Sequence, residues 1–125
     1  MKKLTEEWIK KAEDNYQVAC RELKAEPAVP DAVCFHAQQC LEKYLKAILQ
    51  ENDVTFQKTH DLDVLLQQCK NFIHKLEDYR DELVKLSTYA VDVRYPGFEL
   101  SVKEAKICVE IMKKARGLIR DYFQL

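Results

Sequence analysis

Residues 34–49 read CFHAQQCLEKYLKAIL. On a wheel of about 100° per residue, Cys34, Ala37, Leu41, Tyr44, Leu45, Ile48 and Leu49 gather on one broad face, and His36, Gln39, Lys43 and Lys46 gather on the other. That periodicity is helical and two-faced. The polar side carries more uncharged hydrogen-bonding groups than solvation alone requires. It is either a site or the wet side of an ordinary helix, and the stretch by itself leaves both open.

Outward from this stretch, helical period dominates. The chain has only two glycines and three prolines, and the prolines and Gly97 fall between periodic segments, where such residues act as punctuation. The first segment predicts a helix from about Thr5 to Lys24, with Trp8, Ala12, Tyr16, Ala19 and Leu23 along one face, ending before Pro27 and Pro30. Asp31 is the expected cap of the second helix, which runs to about Glu51. Thr59 or Asp61 can cap a short third helix, HDLDVLLQQC, and a fourth is expected over roughly Phe72–Ala90. The last opens on Ser101 and Glu104, a capping-box spacing, and runs to about Tyr122 with Val102, Ala105, Cys108, Met112, Ala115 and Ile119 inward. No segment reads as a strand. The expected fold is an all-α antiparallel bundle of four long helices plus one short helix.

A length of 125 residues suits a single domain spanning 1–125. At 47% hydrophobic and 33% charged, the chain has the composition of a globular protein, and no apolar run approaches the roughly 18 residues of a transmembrane helix. Acids and bases nearly cancel to a formal charge of -1, so any nucleic-acid contact must come from a local patch and not from a global field. The N-terminal MKKLTEEWIKKAEDNY lacks the apolar core of a secretory signal, which points to the cytoplasm. Cys20, Cys34, Cys40, Cys69 and Cys108 contain no C-x-x-C pair and read as buried thiols of a reducing compartment. The histidines His36, His60 and His74 show neither H-x-x-x-H nor E-x-x-H spacing, so no metal site and no cofactor are expected. There is no glycine-rich phosphate loop and no G-x-S-x-G.

Three strings carry residue types that packing does not demand: CFHAQQCLEKYLKAIL, KTHDL at Lys58–Leu62, and VRYPG at Val93–Gly97. In this order, with Trp8 and Asp14 in the first helix and an A-x-x-x-x-x-x-A last helix, the chain resembles the HEPN domain family, named for nucleotide binding in higher eukaryotes and prokaryotes. The resemblance covers nearly the whole chain. It implies a helical bundle, frequently a homodimer, often encoded beside a small nucleotidyltransferase with which it forms a toxin–antitoxin-like pair. Some members of the wider superfamily are metal-independent ribonucleases. These carry an arginine and a following histidine separated by four to six residues near the last long helix. Here the positions after Arg94 hold Glu99, Leu100 and Ser101, and Arg21, Arg80, Arg116 and Arg120 fail the same check. Attack by a ribose 2′-hydroxyl needs a group that titrates near neutrality together with a cation on the phosphate. Arginine alone supplies only the second.

The candidate nucleotide- or partner-binding residues are therefore His36, Gln39, Lys43, Lys46, Arg94 and Tyr95, with no catalytic residue assigned. Each has a plainer alternative. His36 can be a satisfied histidine at a packing surface, and Glu42 with Lys46 can be an exposed i, i+4 pair. His60 can pack at a loop mouth. Arg94 can tie helices together through a carboxylate such as Asp14. Tyr95, Tyr89 and Phe98 can plug the loop instead of stacking on a base. A homodimer, a nucleotidyltransferase-type partner and a nucleotide or RNA ligand are the expected associations. A metal-independent ribonuclease and a free-standing nucleotide binder are the competing functions.

Overall fold

The quoted stretch becomes the axis of the molecule. In the computed structural model, which describes every residue from Met1 to Leu125, the chain forms α1 (Lys3–Lys24), α2 (Pro30–Glu51), α3 (Leu62–Cys69), α4 (Arg80–Asp92) and α5 (Val102–Phe123), with a 3-10 turn at His74–Tyr79 and no strand. α2 packs against all four other α-helices, most extensively against α1 and then α5. The face read as apolar is the buried one: Cys34, Ala37, Leu41, Tyr44, Leu45, Ile48 and Leu49 are each no more than 1% exposed. Each large side chain among them contributes about 1.5–3 kcal/mol of transfer free energy.

Pro30 occupies the first helical position of α2, where its missing N–H costs nothing and its φ is already set. This displaces Asp31 from the expected cap. Val29 takes that place without a side-chain bond, while Asp31 Oδ1 accepts from the Leu100 backbone N–H at 3.0 Å and ties the start of α2 to the segment before α5. At its other end α2 closes through Asp53, whose φ of 57° lies in the left-handed region, and the Val54 N–H returns to the Leu49 carbonyl at 3.0 Å. Asp61, not Thr59, caps α3 by accepting from the Asp63 N–H at 2.9 Å.

The expected continuous helix over Phe72–Ala90 is two elements. A 3-10 turn precedes α4, which begins only at Arg80 and runs on to Asp92. Arg80 fixes this corner by bonding Glu77 within the turn and Asp63 on α3. α5 has the capping box its sequence predicts, with Ser101 Oγ accepting from the Glu104 N–H at 3.1 Å and Glu104 Oε1 accepting from the Ser101 N–H at 3.0 Å. Its inward residues are as read except Val102, which is 46% exposed. On α1, Ala12 and Ala19 are fully buried and Trp8, Tyr16 and Leu23 are packed partly against the core, joined by Thr5 and Ile9. Four of the cysteines are buried, and Cys20 is half-buried. No helix is long and apolar enough to cross a membrane.

An arginine does tie helices together through a carboxylate, but it is neither Arg94 nor Asp14. Glu13 of α1 accepts a bidentate pair from Arg116 of α5, both bonds at 2.7 Å, and the Tyr44 hydroxyl of α2 at 2.7 Å. Arg120 donates to the Tyr44 oxygen at 3.1 Å. The Arg116 bonds are the main reason the Glu13 carboxyl is held below its usual value, and burial pushes the Tyr44 phenol up to about 12.

Candidate functional site

The polar side of α2 is not simply wet. His36 is half-buried, and its Nδ1 lies 2.9 Å from the side-chain nitrogen of Asn15 on α1. Asn15 Oδ1 accepts from Lys43 Nζ at 2.6 Å. Lysine can only donate, so the Asn15 oxygen must face it and the Asn15 amide must donate to His36. His36 Nδ1 is then the acceptor, and the neutral ring carries its proton on Nε2. Burial, reinforced by the Lys43 ammonium, lowers the His36 pKa from its usual value. The ring is thus held neutral with an N–H to offer. Lys43 is itself shifted below the usual lysine value, first by burial and then by Lys11, with Glu42 opposing.

One turn further round α2 lies a second, drier cluster. Glu42 is 3% exposed and Lys46 6%, with Lys46 Nζ donating to Glu42 Oε2 at 3.1 Å. The exposed i, i+4 pair expected from the sequence is therefore a buried one. Its burial follows from two neighbours of α2: Phe56 of the connection after it and Trp8 of α1 cover the ammonium, with ring centroids 6.0 and 5.5 Å from Nζ. Glu42 Oε1 accepts from His60 Nδ1–H at 2.9 Å. Gln38 Nε2 donates to the His60 carbonyl at 2.6 Å, and Gln39 Nε2 donates to Gln38 Oε1 at 2.9 Å. The KTHDL loop is thereby clamped at backbone and ring, while the His60 side chain stays 67% exposed.

Of the six residues singled out from the sequence, the structure brings His36, Gln39, Lys43 and Lys46 together on this side of α2. Lys46 lies inside it, where it sustains Glu42 and presents no free charge. Arg94 and Tyr95 lie in the turn between α4 and α5, both exposed, Tyr95 at 65%. No side-chain hydrogen bond or ion pair joins either one to α2, and Asp14 pairs instead with Lys10 at 2.8 Å. Arg94 is therefore a free cation and not a buried tie. Sequence reasoning missed Asn15, Gln38 and the role of His60. Asn15 was detectable in principle, because it lies at helical spacing between Trp8, Ala12 and Ala19 on the inward face of α1. Gln38 was detectable too, because at helical spacing it falls within the apolar arc of α2 between Cys34 and Leu49, whereas Gln39 falls on the polar side.

The HEPN domain family matches residues 5–122. The chain belongs to the HEPN domain family. A protein of Methanocaldococcus jannaschii named "Putative toxin MJ1304" is 28% identical to it, in an alignment covering 94% of this chain and 86% of that protein. No solved structure matches the HEPN chain.

Proposed function

We propose that this HEPN protein is the helical member of a toxin–antitoxin-type pair, a homodimer whose partner is a small nucleotidyltransferase-type protein and whose polar α2 face binds that partner or a nucleotide. The observation that carries the reading is the Asn15–His36–Lys43 group. A neutral histidine donor and an ammonium are set in fixed directions at a half-buried surface, an arrangement that suits a phosphate or carboxylate and exceeds what solvation needs. Gln39 extends this face, Lys46 and Glu42 brace it from within, and Arg94 with Tyr95 offers a second, separate contact. The toxin-named relative supports the pairing. The domain acts from the cytoplasm as a single unit over 1–125 and needs no cofactor.

A catalytic ribonuclease is the less favoured reading. No histidine stands at the required distance after Arg94, and the His36 ring, with Nδ1 engaged and Nε2 protonated, is arranged to donate and not to abstract a proton.

Co-expression with the product of a neighbouring reading frame that carries a nucleotidyltransferase motif should yield a stable complex built on a dimer of this chain, seen as such by light scattering. The protein alone should leave RNA intact with or without divalent metal. A monomer at micromolar concentration, or RNA cleavage abolished by His36→Ala, would reject the reading.

A further inference from the structure

Opposite its buried side, α4 carries a second regular face. Leu83, Leu86 and Ala90 are buried, and Val93 packs on the core. Val84, Thr88, Val91 and Tyr95 recur at intervals of four, three and four residues around the other side of the helix, and none of them belongs to the core. Val84 is half-buried and Thr88 exposed, while Val91 is 51% exposed and Tyr95 65%. The winding runs past the end of α4 as far as Tyr95, because the N–H groups of Val93, Arg94 and Tyr95 still donate to the carbonyls of Tyr89, Val91 and Asp92. Thr88 Oγ1 donates to the Val84 carbonyl at 3.0 Å, so the hydroxyl is satisfied within the helix and the methyl group is the part free to pack.

Solvation accounts poorly for this face. β-Branched residues are weak helix formers, and a helix face left to water looks like that of α1, with Lys3, Glu6, Glu7, Lys10, Lys11 and Asp14. Apolar side chains at alternating spacings of three and four residues form the seam of a helix pair. The charges beside the seam select the partner. Lys85 and Asp92 flank it along one edge, and neither forms an ion pair within its own chain. Lys85 Nζ lies 5.5 Å from the Tyr89 ring centroid, and Glu104 of α5 senses its charge without pairing with it. In an antiparallel pairing of two α4 helices that sets Val84 of one copy against Tyr95 of the other, and Thr88 against Val91, Lys85 of each copy comes opposite Asp92 of the other. Twofold symmetry makes both ion pairs at once. A parallel pairing would instead set Arg80 against Lys85. We infer that the outward face of α4 is the homodimer seam, made by two antiparallel copies of α4 about a twofold axis and flanked by two Lys85–Asp92 pairs. The inference rests on the homodimer reading above and adds which face closes the dimer. It leaves Arg94 at the rim and takes no residue from the polar face of α2.

Sedimentation equilibrium of the purified chain tests the assembly and the seam separately. Wild type should be a dimer at micromolar concentration. Val91→Asp buries an unpaired charge in the seam and should raise the dimer dissociation constant at least about a hundredfold. Lys85→Glu and Asp92→Lys each set like charges against each other twice and should each weaken the dimer at least about tenfold. An equimolar mixture of those two variants should form a heterodimer within about threefold of wild-type affinity, because both of its pairs are then of opposite sign. Lys70→Glu and Glu110→Lys, at exposed residues off the seam, make the same changes in net charge and should dimerise like wild type. Circular dichroism should show the same helical content throughout, since no replaced side chain is buried. A wild-type monomer would reject the homodimer reading and the seam with it. A wild-type dimer that Val91→Asp leaves intact, a mixture no tighter than either variant alone, or an equal loss in the control variants would overturn the seam and leave the homodimer reading standing.

Discussion

At the residue scale the decisive group is Asn15, because its orientation sets the state of His36. The pKa of His36 is lowered in the folded chain, so the unfolded chain binds more protons in the interval below about 6.5. The contribution of His36 to stability is therefore present above that pH and is lost as pH falls through the folded value. NMR of the His36 ring should show a neutral imidazole with the proton on Nε2 and a titration midpoint below 6.5. Asn15→Asp puts a carboxylate against Nδ1, which then gains a proton, and the midpoint should move up. An unmoved midpoint would show that Asn15 does not hold the ring. The Glu42–Lys46 pair gives a second prediction at this scale. Lys46→Met leaves a carboxylate that is 3% exposed without its main counter-charge, at a cost of about 3–5 kcal/mol in urea unfolding. Adding Glu42→Gln should recover much of the loss. A cost below about 1 kcal/mol for Lys46→Met would mean that the pair is solvated.

At the element scale, legibility followed the local signals. The apolar face of α2 and the capping box of α5 were readable because periodicity and S-x-x-E spacing are properties of adjacent residues. The Asp31 expectation failed because Pro30 took the first helical position, and Asp31 instead found a partner 69 residues away at Leu100. The break before Arg80 carries no glycine or proline. Arg80 braces it by bonding Glu77 three residues back and by reaching Asp63 on α3, and the second of these is a tertiary contact that no local reading exposes. The same holds for the polar face. A wheel separates apolar from polar side chains but cannot tell that Phe56, from a distant connection, folds over Lys46 and turns an apparent surface pair into a buried one. Ser101→Ala removes one half of the capping box and should cost about 1 kcal/mol in thermal or urea unfolding. No measurable change would indicate that α5 is held by packing alone.

At the scale of the whole molecule, α2 serves two functions at once. One face fixes the core, and the other holds a set of polar groups whose hydrogen bonds run to α1 and to the His60 loop. A bundle can be stable without that second set, and family membership by itself does not assign it a role. Whether it is a site therefore rests on binding. Calorimetric titration of the chain with ATP, or with the nucleotidyltransferase-type partner proposed for it, should compare wild type with the Lys43→Ala, Arg94→Ala variant, alongside melts of each single variant. The account predicts that binding weakens by one to several orders of magnitude, each lost charge-assisted contact being worth about 1.5–3 kcal/mol, while Arg94→Ala, made at an exposed residue without a partner, melts within about 0.5 kcal/mol of wild type. Binding by the double variant indistinguishable from wild type, with melting also unchanged, would contradict the claim that the polar face of α2 and the α4–α5 turn form a recognition surface.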